Sequence, residues 1–214
     1  MTSPTYQFAS QTRPGSARFR RHLFTACLAL MTVFCLSPAA RAATLADVQI
    51  PDTLTVDGKQ LVLNGYGLRT LTFLKVKIYV AALYLPKKSN DAQAILASAG
   101  PKVLVLNHIH SGSKSQVQDR YKEGIKVNCG DEQGSGCPAD LRADYQKLFE
   151  AAKPVAEGDV TQYIVTDKQF RVVFNGVPVI SFNNVALGNM ILAGFIGAHP
   201  PSPDLRAALL GVPM

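Results

Sequence analysis

One stretch of the chain, from Lys75 to Leu85, constrains the fold more than any other feature. Up to Tyr79, polar residues alternate with apolar ones, which is the period of a strand with two different faces. From Val80 onwards every residue is apolar or aromatic until Pro86 ends the run. A strand that is apolar on both faces is typical of the middle of a sheet, so we expect this segment to be a central strand.

Two tight-turn dipeptides and several shorter patterns complete the predicted secondary structure. Asp57-Gly58 and Asn175-Gly176 each separate two alternating segments, which predicts two β-hairpins. Strands are predicted over 53–56, 60–63, 75–85, 102–109, 160–165, 169–174 and 177–182, and helices over 90–99, 113–127, 138–152, 183–196 and 204–210. Because the strands are grouped towards both ends, with helices between and after them, we predict an α+β fold with a mainly antiparallel sheet under a helical layer.

The N-terminal segment has the three parts of an export signal. A cationic stretch over 18–22 precedes an apolar run over 23–36, and small residues stand at Ala40 and Ala42. The apolar run of 14 residues is shorter than the roughly 20 needed to span a bilayer, which argues against a retained anchor. We therefore expect residues 1–42 to be a signal peptide cleaved after Ala42. Residues 43–214 would then form one periplasmic or secreted domain without a membrane span.

The positive charge of the chain belongs largely to that segment. The formal net charge is +7, but five arginines and no acidic residue precede Ala43. Without the segment, 17 of the 22 basic residues remain against all 15 acidic ones, an excess of only two. No basic stripe for phosphate groups is left, so we expect no nucleic-acid partner.

Two of the four cysteines, Cys129 and Cys137, lie beyond the signal segment and enclose a glycine-rich loop. In an oxidising compartment such a pair favours a disulfide. The spacing differs from that of zinc sites, and no histidine lies near the pair in the sequence. The short spacing of redox-active pairs is also absent. The sequence therefore predicts a structural disulfide, and it predicts neither a metal nor another cofactor.

Two blocks of sequence resemble a known family. The first is Gly65-Tyr-Gly-Leu-Arg69 followed by the apolar strand from Val76 to Leu85, and the second is Asn184 to Gly197 followed by Ser202-Pro-Asp-Leu-Arg206. In this order they resemble the glycine-rich turn, the strand after it, the last long helix and the short final helix of the chalcone isomerase-like family. That family includes chalcone isomerases and related fatty-acid-binding proteins. The resemblance implies an open-faced β-sandwich with a ligand cleft between the sheet and the helices.

The resemblance assigns the central role to Arg69. In the family, the arginine of the glycine-rich turn faces the substrate's phenolate in the plant enzyme and holds a carboxylate in the fatty-acid-binding relatives. A guanidinium suits either anion because it is always charged and presents a planar fork of donors. Gly65 and Gly67 are expected to allow the turn and close approach that bring Arg69 to the cleft. The alternative is a surface arginine in an ordinary salt bridge.

The other aligned positions depart from the enzyme. Tyr79 falls where the enzyme has a water-ordering threonine, and its side chain points either to the cleft or to solvent. Ser115 and Lys122 take the places of the enzyme's tyrosine and asparagine, and Tyr121 is next to Lys122. Gly188 stands where the last helix of the enzyme has a small hydroxyl residue. The implied ligand-binding set is therefore Arg69, Tyr79, Ser115, Tyr121 and Gly188, with Arg69 alone as a candidate catalytic residue.

Two histidines, His108 and His110, alternate at the end of a predicted strand. Such a pair serves as a general base or as metal ligands in some proteins, but the sequence supplies no third ligand. We expect two polar residues on an exposed strand end.

These observations leave three functions open. The favoured one is an exported carrier or sensor of a fatty acid or similar anionic amphiphile. The first alternative is an intramolecular lyase that acts on a flavonoid or an enone, and the second is a non-catalytic structural or partner-binding domain of the envelope with a closed cleft. In the first two cases the partner is a small amphipathic or phenolic molecule, and the sequence assigns no protein partner.

Overall fold

Seven antiparallel strands form one sheet in which every strand pairs with its neighbour in the sequence. The computed structural model describes residues 42–71 and 75–212, so residues 1–41 of the predicted signal segment lie outside the described residues. The sheet consists of β3 (Thr53–Val56), β4 (Lys59–Leu71), β5 (Val76–Leu85), β6 (Lys102–His108), β7 (Val160–Val165), β8 (Phe170–Phe174) and β9 (Val177–Phe182). The helices are α1 (Ala92–Ala97), α2 (Lys114–Cys129), α3 (Ala139–Glu150), α4 (Val185–Ile196) and α5 (Pro203–Leu209). The predicted α+β class is confirmed.

Both predicted hairpins are present, and their turns have the expected backbone. Asp57 and Gly58 have φ values of 49° and 74°, and Asn175 and Gly176 have φ values of 50° and 77°. Two successive residues with positive φ match the twist of the flanking strands, and Gly, Asn and Asp adopt this conformation most easily. A third hairpin, β1 (Ala42–Leu45) with β2 (Val48–Pro51), was not predicted and forms a separate two-stranded sheet.

The sheet is covered on both faces, as the apolar run in β5 predicts. Every residue from Val80 to Leu85 is buried. On one face, Leu83 and Leu104 belong to a core shared with the helices. On the other face, Val80 belongs to a second core with Ile50, against which residues of the β1–β2 hairpin pack. No helix in the described ranges is long and apolar enough to cross a membrane.

The glycines before Arg69 do not form a turn, which corrects the expectation from the sequence. Gly65 and Gly67 lie inside the continuous strand β4, and neither has a positive φ. Their role is to let α5 lie directly on the strand. A Cβ at Gly67 would come within 2.7 Å of the Ala208 Cβ, and one at Gly65 would come within 2.7 Å of the Leu209 carbonyl oxygen. Both glycines are therefore required by close packing of α5 rather than by backbone bending.

Cys129 and Cys137 form the predicted disulfide. Cys129 is the last residue of α2, and only Pro138 separates Cys137 from α3, so the bond joins the end of one helix to the start of the next. The Cys129 Sγ also lies 3.5 Å from the Met190 Sδ of α4. The disulfide thereby ties together the helices that lie over the sheet.

Candidate ligand-binding site

A cavity of about 820 Å³ lies between the helical face of the sheet and the helices. Its inner wall is mostly apolar and is formed by Leu106, Leu148, Val172, Ile180, Met190, Ile191 and Phe195, among others. Leu71 and Val127, which also line it, are 44% and 45% exposed, so the cavity opens to solvent beside them. Its volume lies within the range of about 300–1,000 Å³ that is typical of small-molecule sites.

Three polar side chains of the cavity lining follow one another across neighbouring strands of the sheet. Arg69 on β4 lies opposite Tyr79 on β5, and Tyr79 lies opposite His108 on β6. All three residues line the cavity. The ring centroids of Tyr79 and His108 are 6.2 Å apart, in an edge-on arrangement. We refer to Arg69, Tyr79 and His108 as the polar row.

A β-bulge at Ile78 explains why Ile78 and Tyr79 both line the cavity while Lys77 does not. Arg69 pairs with Tyr79, but the next residue of β4, Thr70, pairs with Lys77, so Ile78 has no partner of its own. The extra residue reverses the alternation at this point of the strand. Both Ile78 and Tyr79 therefore line the cavity, whereas Lys77 is exposed and does not. Of the two orientations open to Tyr79 in the sequence, the structure has the one towards the cleft.

The guanidinium of Arg69 has no acidic partner within the described part of the chain. The five salt bridges found among these residues leave it out, and none of the hydrogen bonds there involves it. Arg120, which lines the same cavity, is paired instead with Glu123 at 2.7 Å. A half-buried guanidinium without a carboxylate beside it leaves its donors available to an anion. Among the described residues, Arg69 therefore does not form the ordinary salt bridge that was the alternative expectation.

The Tyr79 hydroxyl stays protonated at neutral pH. Burial raises the pKa of Tyr79 far above its ordinary value, and the positive charge of Arg69 offsets only part of that effect. A neutral phenol donates one hydrogen bond, so Arg69 and Tyr79 together present donors to the same end of the cavity.

His108 is buried, which corrects the expectation of an exposed strand end. It is 8% exposed, and its Nε2 lies 3.0 Å from the Thr161 Oγ1 on β7. The backbone explains the difference, because the His108 N–H donates to the Asp159 carbonyl, which extends the β6–β7 pairing. Burial lowers the pKa of the His108 imidazole, and the Asp159 carboxylate opposes that effect. His110 lies beyond the strand and is exposed.

Deeper in the cavity two tyrosines share a hydrogen bond. The hydroxyl oxygens of Tyr121 on α2 and Tyr163 on β7 are 3.0 Å apart, and both residues are buried. Burial raises the pKa of Tyr121 to about 12 and that of Tyr163 well above its ordinary value, so both phenols are neutral. The predicted residue Tyr121 thus lines the cavity, together with a tyrosine that was not predicted.

Two predicted site residues do not line the cavity. Ser115 is exposed in the first turn of α2, and its Oγ lies 2.9 Å from the Ser113 Oγ at the helix N-cap. Gly188 of α4 faces the sheet, where a Cβ would come within 2.7 Å of the Val165 Cγ2, so it allows close packing. Lys122, which aligns with an enzyme residue, does not line the cavity either. Its Nζ lies 5.6 Å from the centroid of the Phe149 ring.

Sequence reasoning missed Tyr163 and Thr161, and it misjudged the burial of His108. A signal for them exists, because Thr161, Tyr163 and Val165 alternate on one face of β7. Leu104, Leu106 and His108 alternate in the same way on β6. Strand pairing places these two sets side by side, with Leu104 opposite Tyr163 and Leu106 opposite Thr161. Without the pairing, alternation alone does not say which of the two faces is turned to the cavity.

Comparison with protein families tests the family resemblance that the two sequence blocks indicate. The family described as chalcone isomerase-like matches residues 42–211. The chain belongs to this family. The match covers nearly all of the described residues, and the resemblance predicted from the sequence is confirmed. No significant match was found among curated proteins.

Solved structures confirm the fold of this chalcone isomerase-like domain. The crystal structure of a fatty-acid-binding protein of Arabidopsis thaliana superposes with a TM-score of 0.61 at 14% sequence identity. The alignment covers 79% of this chain and 96% of the plant protein. Identity this low shows a shared fold and no more, and the curled antiparallel sheet under helices is the arrangement that was predicted.

Proposed function

We propose that this protein is an exported carrier or sensor that holds a fatty acid or a similar anionic amphiphile in the cavity, with the anion at Arg69. The single observation that carries the proposal is the position of Arg69. Arg69 lines a largely apolar cavity and has no acidic partner in the described part of the chain. A fixed charge and apolar walls in one cavity match the two halves of an amphiphile.

The hydrogen-bond donors of the polar row favour an anionic ligand. Arg69 carries a fixed positive charge, and Tyr79 opposite it adds a hydroxyl that remains protonated. An oxyanion accepts from both, and hydrogen bonds to a charged group are stronger than those between neutral groups. The apolar inner wall gains free energy when it is covered by a hydrocarbon chain, at about 25 cal/mol for each Å² removed from water.

The structural neighbour supports the same proposal. The Arabidopsis protein with this fold is a fatty-acid-binding protein, and its whole length is nearly covered by the alignment. Fold similarity alone does not transfer a ligand, so the argument for this chain remains the polar row and the apolar wall.

Export is the second part of the proposal. A cationic stretch, an apolar run and small residues at Ala40 and Ala42 support a cleaved signal peptide. The disulfide between Cys129 and Cys137 agrees with an oxidising compartment such as the periplasm or the cell exterior. Mass measurement of the protein recovered from the producing cell tests this, since cleavage after Ala42 gives a chain that begins at Ala43. A mature chain that still contains residues 18–36 would overturn it.

The ligand part is tested on protein that has never been exposed to denaturant or detergent. Mass spectrometry under native conditions is expected to show the chain with one anionic amphiphile bound, and organic extraction should release that molecule for identification. Recovery of the protein without a bound amphiphile, together with no measurable binding of added oleate, would refute the carrier proposal.

A second candidate, an intramolecular lyase acting on a flavonoid or an enone, is favoured by one observation. The hydroxyls of Tyr79, Thr161 and the Tyr121–Tyr163 pair belong to residues that line the same cavity as Arg69. The lyase alternative predicts cyclisation of a chalcone above the spontaneous rate, and loss of that acceleration in Arg69→Ala. Cyclisation at the spontaneous rate leaves the carrier as the better account.

A further inference from the structure

The hydrogen bond within the Tyr121–Tyr163 pair uses only one of its two O–H groups. Each phenol carries a single O–H, and the two oxygens are 3.0 Å apart. One hydroxyl therefore donates to the other, and the second O–H has no acceptor among the residues that the structure describes. Tyr121 and Tyr163 are 9% and 6% exposed and both line the cavity, so bulk solvent has little access to the remaining O–H.

The surroundings of this pair are apolar. Val172 lies opposite Tyr163 on β8, and Leu148 and Ile191 belong to the same buried core as the two tyrosines. A water molecule or an oxygen atom of a ligand satisfies the spare O–H, whereas a saturated chain that displaces the water leaves it without an acceptor. A buried donor without an acceptor is unfavourable, so the pair discriminates between occupants by the oxygen they carry at this depth.

The tyrosine pair lies away from Arg69, because Tyr163 is on the third strand beyond β4, although Tyr163 is near enough to Tyr79 to act on its pKa. Tyr163 is opposite Leu104, which is four residues before His108 on β6, a separation of about 13 Å along the strand. An acid whose carboxylate is at Arg69 therefore meets the tyrosine pair part-way along its chain rather than at its head.

We propose that the cavity selects carboxylic acids that carry a second oxygen acceptor in the middle of the hydrocarbon chain, recognised by the spare O–H of the Tyr121–Tyr163 pair. The inference rests on the proposed function, because it takes the carboxylate to lie at Arg69. The favoured ligand class is thus a hydroxylated or oxidised fatty acid rather than an unmodified one of the same length.

Two matched acids test the selection. Ricinoleate differs from oleate by one hydroxyl beyond the middle of the chain, and calorimetric titration of the purified, lipid-stripped protein measures both affinities. We expect ricinoleate to bind roughly three- to tenfold more tightly, the effect of one hydrogen bond. Equal affinities for the two acids would overturn the inference. If both acids bind with equal affinity and that binding depends on Arg69, the inference is overturned but the proposed function stands. If neither acid binds, the proposed function is overturned as well.

The number of O–H groups that remain in the tyrosine pair decides the expected preference of each variant. Tyr121→Phe and Tyr163→Phe each leave one hydroxyl, whose O–H is then free, so each single variant is expected to retain the preference for ricinoleate. The double variant has no O–H and is expected to bind both acids equally. Tyr145→Phe is the matched control, because Tyr145 is a buried tyrosine of α3 that does not line the cavity. A preference that survives in the double variant contradicts the inference.

A measurement on the unchanged protein covers the case in which the double variant does not fold. The methyl ether of ricinoleate keeps the acceptor oxygen and loses its own O–H. Because the protein supplies the donor, the ether is expected to bind more tightly than oleate. An ether that binds no better than oleate contradicts the assignment of the donor to the tyrosine pair.

Discussion

Arg69 on β4 lies directly opposite Tyr79 on β5, next to a bulge at Ile78. Both residues line one cavity. Tyr79 shares the cavity side of β5 with Ala81 and Leu83, and the bulge keeps Lys77 off that side, so Lys77 stays exposed. A fixed cation and a neutral hydroxyl are thereby held together in the lining of a largely apolar cavity.

Removing the Tyr79 hydroxyl tests this relationship. Tyr79→Phe keeps the ring that packs near Phe195, at 6.5 Å between centroids, and removes one donor to the bound carboxylate. We expect the affinity for oleate to fall about ten- to hundredfold, since hydrogen bonds to charged groups contribute about 1.5–3 kcal/mol. The fall should be similar from pH 6 to pH 9, because the raised pKa of Tyr79 keeps the hydroxyl protonated there. Unchanged affinity in calorimetric titration would show that Tyr79 does not contact the ligand.

The buried His108 predicts a pH dependence of stability. Because burial lowers the pKa of His108, the unfolded chain takes up this proton before the folded one. The free energy of unfolding therefore falls as the pH drops through the ordinary histidine pKa of about 6.5, and this contribution levels off below the folded-state pKa. His108→Gln removes the titration, and its Tm should fall less on acidification than that of the parent protein.

The control for this prediction is His110→Gln, which changes an exposed histidine of the same segment. It is expected to follow the parent protein in Tm across the same pH range, measured without ligand. Equal pH dependence of Tm in His108→Gln and the parent protein would contradict a neutral, buried imidazole.

Packing of α5 on β4 predicts opposite effects for two glycine substitutions. Gly65→Ala places a methyl group against the carbonyl oxygens of Ala208 and Leu209, which are backbone atoms that yield little. We expect the free energy of unfolding to fall by about 2 kcal/mol or more in denaturant titration. Gly124→Ala, in the interior of α2 with no atom within 4 Å of the new Cβ, should instead gain about 0.5–1 kcal/mol. A Gly65→Ala protein as stable as its parent would contradict the packing argument.

Much of the fold follows from the sequence because its signals are local. The Asp57-Gly58 and Asn175-Gly176 turns and the apolar run in β5 each specify their own conformation, and the structure has them where they were predicted. The β1–β2 hairpin was missed because its turn, Ala46-Asp47, contains no glycine and still adopts positive φ at both residues. The role of Gly65 was misjudged because α5, the element that requires it, lies far away in the sequence.

The candidate site is less predictable than the fold. Arg69 was found through the family resemblance, and Tyr121 through its neighbourhood in the alignment. The separation of the inward Tyr79 from the exposed Lys77 depends on a one-residue bulge, and the inward position of Tyr163 depends on pairing between β6 and β7. Neither the bulge nor the pairing leaves a local mark in the sequence, because both arise from contacts between distant segments.

The most direct test of the account is the affinity of oleate for Arg69→Gln. Calorimetric titration should show binding weakened by about ten- to hundredfold relative to the parent protein, since a charge-assisted pair is lost. Arg171→Gln, which removes an arginine paired with Asp57 outside the cavity, should bind as the parent does. Parent-like affinity in Arg69→Gln would contradict the claim that this guanidinium holds the anion.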